Sequence, residues 1–174
     1  LLQGIRRLTD YQDAAYDERY LDRLANSSVI DARLCREVAR HLAVRMSFED
    51  IIRVAQAKVR KKRFTRIRDE LGAEETDPYH ITEFFKPGIR EITDLLPPVI
   101  GKALLSWAAA TGYLEKLHWG MQVRTTTILG FLKIWFLSKL RRWRPRSYRW
   151  LVEQEGIEDW LNLIKNAAGK SIPL

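Results

Sequence analysis

The sequence predicts a mainly α-helical protein, an irregular multi-helix bundle with one central apolar helix. Apolar residues recur at spacings of three and four along the chain, and strand-like alternation is scarce. In addition, the run from Thr125 to Leu140 is apolar around the whole helical wheel, the pattern of a helix buried on all sides.

Taken in order, a first helix is expected over residues 9–25, with Tyr16, Tyr20 and Leu24 on one stripe, broken by Asn26, Ser27 and Ser28. A second starts at Asp31 as N-cap and turns Leu34, Val38, Ala39, Leu42 and Met46 inward. Ser47, Phe48, Glu49 and Asp50 have capping-box spacing, with Asp in place of Glu, and either start a helix or sit within one. Ile51, Ile52, Ala55 and Val59 then form a face. The stripe shifts by five residues to Phe64, Ile67 and Leu71, which implies a bend or a change of packing partner.

Gly72 is a helix stop, and 73–78 a polar loop. Residues 79–85 are open to an extended reading. After Pro87 and Gly88 a short helix carries Ile89, Ile92, Leu95 and Leu96, and Pro97 and Pro98 end it, since neither can donate to the ladder. Residues 99–110 are helical in character and 112–120 irregular. The apolar run follows, Pro145 breaks the pattern, and Ser147 caps a last helix that reaches about residue 168 and buries Leu151, Trp160, Leu161 and Ile164.

A length of 174 residues suits one helical domain, 1–174. From its opening at Leu1 and Leu2, with no initiator methionine, and its end at Ser171–Leu174, it is expected to be a piece of a longer subunit. A formal charge of +8 and a pI near 9.8 favour anionic partners: nucleic acid, lipid headgroups or an acidic protein face. Cys35 is the only cysteine, so no internal disulfide forms and no cysteine-ligated iron–sulfur cluster assembles within this chain. A reducing, cytoplasmic setting is expected. The apolar run falls short of the roughly twenty residues that span a bilayer and contains Lys133, so a transmembrane helix is not expected.

The residues that stand out are cationic. Lys58, Arg60, Lys61, Lys62, Arg63, Arg66 and Arg68 form one cluster; Arg141, Arg142, Arg144, Arg146 and Arg149, interleaved with Trp143, Tyr148 and Trp150, form another. Twelve of these are the candidate interaction surface: Lys58, Arg60, Lys61, Lys62, Arg63, Arg66, Arg141, Arg142, Trp143, Arg144, Arg146 and Trp150. Such clusters track phosphates, stack bases or sit at a headgroup boundary, but charge blocks are most often solvated helix faces or protein-docking surfaces, and aromatics at this spacing most often core or interface anchors. His41, His80 and His118 lack partners at metal-ligand spacing. Glu37 and His41, four apart, give a weak acid–base or metal hint, and no phosphate loop or dinucleotide fingerprint is present. No catalytic, cofactor-binding or metal site emerges.

The segments LTDYQDAAY (8–16), VARHL (38–42), SFEDIIRVA (47–55), TEFFKPG (82–88), GFL (130–132) and LRRWR (140–144) resemble the helical C-terminal region of indolepyruvate oxidoreductase subunit beta family proteins, in order and over most of the chain. The resemblance implies a parent of the 2-oxoacid:ferredoxin oxidoreductase group. Such a parent decarboxylates aryl pyruvates oxidatively with ferredoxin, coenzyme A, thiamine diphosphate and iron–sulfur clusters, these cofactors being held largely by other domains or subunits. This chain lacks the α/β oxidoreductase domain expected ahead of the helical region, and it has no thiamine-type Gly-Asp-Gly motif, so no catalytic residue carries over. The expected role is a non-catalytic accessory or assembly domain whose partners are other domains or subunits of the oxidoreductase. A basic nucleic-acid-binding module and a peripheral membrane-surface element are the alternatives.

Overall fold

A computed structural model describes residues 1–27, 31–74 and 77–169. Among these residues the protein is mainly α-helical, as the spacing predicts, with nine α-helices, two 3₁₀ turns and one small two-stranded sheet. Ser28, within the predicted break after the first helix, and residues 75–76 of the predicted polar loop lie outside the described residues. The chain divides into two compact units, Leu1–Phe48 with Trp150–Leu174, and Glu49–Arg149.

The first unit holds α1 (Leu2–Tyr11), α2 (Ala14–Ala25) and α3 (Ala32–Met46), with α9 (Tyr148–Gly169) from Trp150 onward. The single helix expected over 9–25 is two helices. Asp13 is extended and its carboxylate accepts the Tyr16 amide at 2.9 Å, so it caps a new helix in place of continuing the old one. Asp31 caps α3 as expected, accepting from Arg33 N at 2.7 Å and Leu34 N at 2.8 Å. Leu8, Tyr11, Tyr16, Tyr20, Leu42 and Met46 pack with Phe48, Trp150, Ile157 and Leu161 into one core. Its phenols are satisfied: Tyr16 Oη donates to Met46 O and Tyr20 Oη to Ala39 O, both at 3.0 Å. Leu34 and Leu151, expected inward, are exposed.

The second unit begins with α4 (Ile51–Lys58) and α5 (Lys61–Leu71). The break between them at Val59 and Arg60 is the bend that the shifted stripe implied. Ser47 closes α3 and donates to Ala43 O at 2.7 Å, so no capping box forms there; Asp50 caps α4 instead, accepting Arg53 N at 2.6 Å. Gly72 ends α5 at φ 63°, where a side chain would be strained.

Strand β1 (Thr82–Phe85) pairs antiparallel with β2 (Met121–Arg124), Phe85 opposite Met121 and Glu83 opposite Val123. Between them run α6 (Ile89–Thr93), α7 (Pro98–Ala110) and an irregular connection. Pro98 both stops what precedes it and opens α7, where its missing N–H costs nothing. Helix α8 (Ile128–Lys139), capped by Thr127, packs along α4 and leads into 3₁₀ turns at Leu140–Arg142 and Arg144–Arg146.

Two features fix α8. At its start, a Cβ on Gly130 would lie 2.0 Å from Arg124 O, so only glycine lets the first turn approach the end of β2. Beyond its end, the guanidinium of Arg144, fully buried, meets Asp50 through Nε–Oδ2 at 2.6 Å and Nη2–Oδ1 at 3.1 Å.

The expectation that α8 is buried on all sides is overturned. Gly130, Ile134 and Ser138 are buried, but Ile128 is 80% exposed, Leu129 74% and Phe136 65%, and Leu132 and Trp135 are exposed too. The second unit supplies neighbours for one face of the helix, and the opposite face is as apolar as the covered one.

Replacing Asp50 with Ala is expected to lower unfolding stability by about 3–5 kcal/mol, because it takes the carboxylate from a buried guanidinium and removes a cap. Gly130→Ala is expected to cost about 1–3 kcal/mol through overpacking against a backbone oxygen. Urea unfolding followed by circular dichroism checks both, and unchanged midpoints would contradict these roles.

Candidate docking surface

The two basic clusters both fall in Glu49–Arg149, which carries twenty Lys and Arg against eleven Asp and Glu, whereas the other unit has ten against eleven. The net positive charge of the chain therefore belongs to the second unit.

Burial divides the first cluster. Glu83 is buried on β1 and takes two cations, Lys58 Nζ at 2.6 Å and the guanidinium of Arg63, which ties the end of α4 and the start of α5 to the hairpin. Lys58 and Arg63 are structural ions as placed. Lys61, Lys62 and Arg66 point into solvent, and Arg66 pairs loosely with Glu70 at 3.5 Å one helical turn on. Arg60, exposed, is the N-cap position of α5.

The second cluster is divided further. Arg144 is enclosed with Asp50, and Trp150 lies in the core of the first unit against Phe48 and Tyr16, so neither belongs to an exposed interaction surface. The sequence reading placed them there because a charge run and an interleaved aromatic carry no mark of which side chains turn inward. Trp143 is half-buried, its indole N–H donating to Leu95 O at 2.8 Å, and the backbone amide of Tyr148 donates to Leu96 O at 2.7 Å. This segment is thereby anchored to the turn between α6 and α7. Arg142 and Arg146 remain exposed, and Arg141 is half-buried.

The apolar run, which the sequence leaves as core or interface, has one face in solvent. Ile128, Leu129, Leu132, Trp135 and Phe136 form the outer face of α8, accompanied by Lys133 and Lys139, the latter 5.0 Å from the Trp135 ring centre. Contiguous apolar surface of this kind is unusual on a protein surface, which makes this face the candidate docking surface. Beside it lies an open groove of about 990 Å³, lined by α4, the hairpin and α8. The apolar run itself was the available signal; its lack of a polar side fits either burial all round or a face left for a partner.

The acid–base hint in α3 has an ordinary explanation. Glu37 Oε2 accepts Arg40 at 2.7 and 3.0 Å, which holds its carboxyl below the usual range, and His41 is 3.9 Å away on an exposed surface. Burial pushes the nearby Tyr20 phenol up, with the Cys35 thiol adding to the effect. Cys35 is half-buried beside a cleft of about 770 Å³ between α1 and α3. Among the described residues no group of three or more His, Cys, Asp or Glu could hold a metal ion, and no helix is long and apolar enough to cross a membrane.

A family model described as Family of unknown function (DUF6537) matches residues 1–171. No curated protein matches the chain, and no solved structure does. The division between structural and solvent-facing cations is open to direct measurement. Glu83→Gln is expected to lower stability by about 1–3 kcal/mol, because Lys58 and Arg63 lose the negative charge they share and one of its two acceptor oxygens. Reversing Lys61 and Lys62 to Glu is expected to stay within about 0.5 kcal/mol of the parent. Equal effects in thermal unfolding would contradict the division.

Proposed function

We propose that this chain, which belongs to the DUF6537 family, is the non-catalytic helical docking domain of an indolepyruvate ferredoxin oxidoreductase-like subunit. The observation that carries the docking role is the outer face of α8, where five large apolar side chains stand in solvent on a helix rigidly seated by Gly130 and by the Arg144–Asp50 pair. Each such side chain gains roughly 1.5–3 kcal/mol when fully removed from water, so a partner that covers this face is strongly favoured.

Support for the parent comes from the resemblance of the ordered segments between residues 8 and 144. The parent reaction would be oxidative decarboxylation of aryl pyruvates, in the cytoplasm, with coenzyme A and ferredoxin. Thiamine diphosphate and iron–sulfur clusters would be held elsewhere in the assembly. A cluster needs several thiolates and this chain has one cysteine, half-buried in a helix, so its own residues do not fit that group. A polyanion would be expected to engage the exposed Lys61, Lys62 and Arg66 and to leave the α8 face uncovered, which is why protein docking ranks above nucleic-acid binding.

The test is the double variant Leu129→Ser with Phe136→Ser in the full-length subunit, co-expressed with its thiamine-binding partner. Both side chains are exposed, so circular dichroism and thermal midpoint should hardly move, whereas co-purification should weaken by about tenfold or more, as for truncated interface anchors. Indolepyruvate-dependent ferredoxin reduction should fall with it. Retention of both association and activity would sink the reading.

A further inference from the structure

We propose that the groove between α4, the hairpin and α8 receives an amphipathic helix from a partner protein, with an apolar stripe flanked by Asp and Glu side chains. This rests on the docking reading and adds the chemistry of what docks.

The shape is the first argument. The groove has a volume of about 990 Å³ and is lined by Val54 and Ala55 of α4, Phe85 and Met121 of the hairpin, and Ile134 and Phe136 of α8. Phe85 and Met121 are opposite one another in the antiparallel register, so they share the face that lines the groove, and Phe84 lies on the other face, exposed. A bilayer surface is flat on this scale and would leave the concavity filled with water. A helix that presents side chains at i, i+3, i+4 and i+7 fills it.

Charge is the second argument. Two of the groove's carboxylates face cations within the unit, Asp50 with Arg144 and Asp94 with Arg149 at 3.9 Å, whereas Glu91, which accepts the neutral Gly88 amide at 2.9 Å, keeps its charge. Among the described residues the side chains of Lys86 and Lys133 on the lining make no hydrogen bond or ion pair, nor does that of Glu49, and with the exposed Arg142 and Arg146 past the end of α8 these four cations outnumber the uncompensated Glu49 and Glu91. A partner helix with acidic flanks finds complementary charge here, whereas a basic or uncharged one leaves the cations unanswered. The apolar lining also disfavours a nucleic acid, whose backbone would bring phosphates to Phe85 and Phe136.

The experiment places a benzophenone amino acid at Met121 in the full-length subunit, expressed with its partner subunits. Irradiation is followed by identification of the cross-linked peptide by mass spectrometry. The expected product is one segment of the partner with helical apolar spacing and at least two flanking acids. Lys86→Glu combined with Lys133→Glu should reduce the yield by about fivefold or more, and changing those flanking acids to Lys should restore it. The same probe at Phe84 should not capture this segment.

Cross-linking to lipid, to α9 of a second copy, or to a segment without acids would overturn the proposal, as would no product at Met121. Loss of co-purification in the α8 double variant with no acidic segment captured would leave docking standing and remove only this inference. The captured acidic segment with co-purification untouched by that variant would keep the groove's occupant and remove the claim that the outer face of α8 carries the association.

Discussion

The ion pair between Arg144 and Asp50 determines how the second unit is put together. A guanidinium with no solvent exposure is costly unless its charge and donors are met, and Asp50 meets it with two hydrogen bonds while also capping α4 through the Arg53 amide. One carboxylate thus fixes the start of α4 and the segment just past α8. With Gly130 holding the other end of α8 against β2, the helix is seated with Gly130, Ile134 and Ser138 inward and its opposite face outward.

That constraint explains why so much apolar surface remains in water. Helix α8 is nearly uniform around its circumference, yet only the face centred on Gly130, Ile134 and Ser138 is covered. The same constraint reduces the basic character of the clusters. Lys58, Arg63 and Arg144 neutralise acids inside the unit, and Arg149 lies near Asp94, so the cations left in solvent include Lys61, Lys62, Arg142 and Arg146 of the clusters and Lys86 and Lys133 at the groove. A pI near 9.8 by itself suggests a polyanion; the arrangement favours an apolar docking surface with charge around it.

Local signals were legible in the sequence, and those that depend on distant partners were not. Asp31, Gly72 and Pro98 act within one helical turn, and the five-residue shift after Val59 marks a real break, so helix ends could be read from residue type and spacing. The break at Asp13 was missed because an Asp inside an amphipathic stripe fits a solvated helix position as well as it fits a cap. Arg144 and Trp150 were assigned to the surface because their inward orientation depends on Asp50, ninety-four residues away, and on Tyr16 and Phe48. For α8, periodicity reports that every side is apolar and leaves open which sides the rest of the chain can reach.

The central claim is that the outer face of α8 is covered in the assembled protein. Hydroxyl-radical footprinting of the intact full-length complex measures this at Leu129, Trp135 and Phe136. Docking predicts oxidation as slow as that of the core residue Tyr11, allowing for intrinsic reactivity, while Phe84 stays reactive. Oxidation of the α8 residues at the rate of freely exposed side chains in that complex would contradict it.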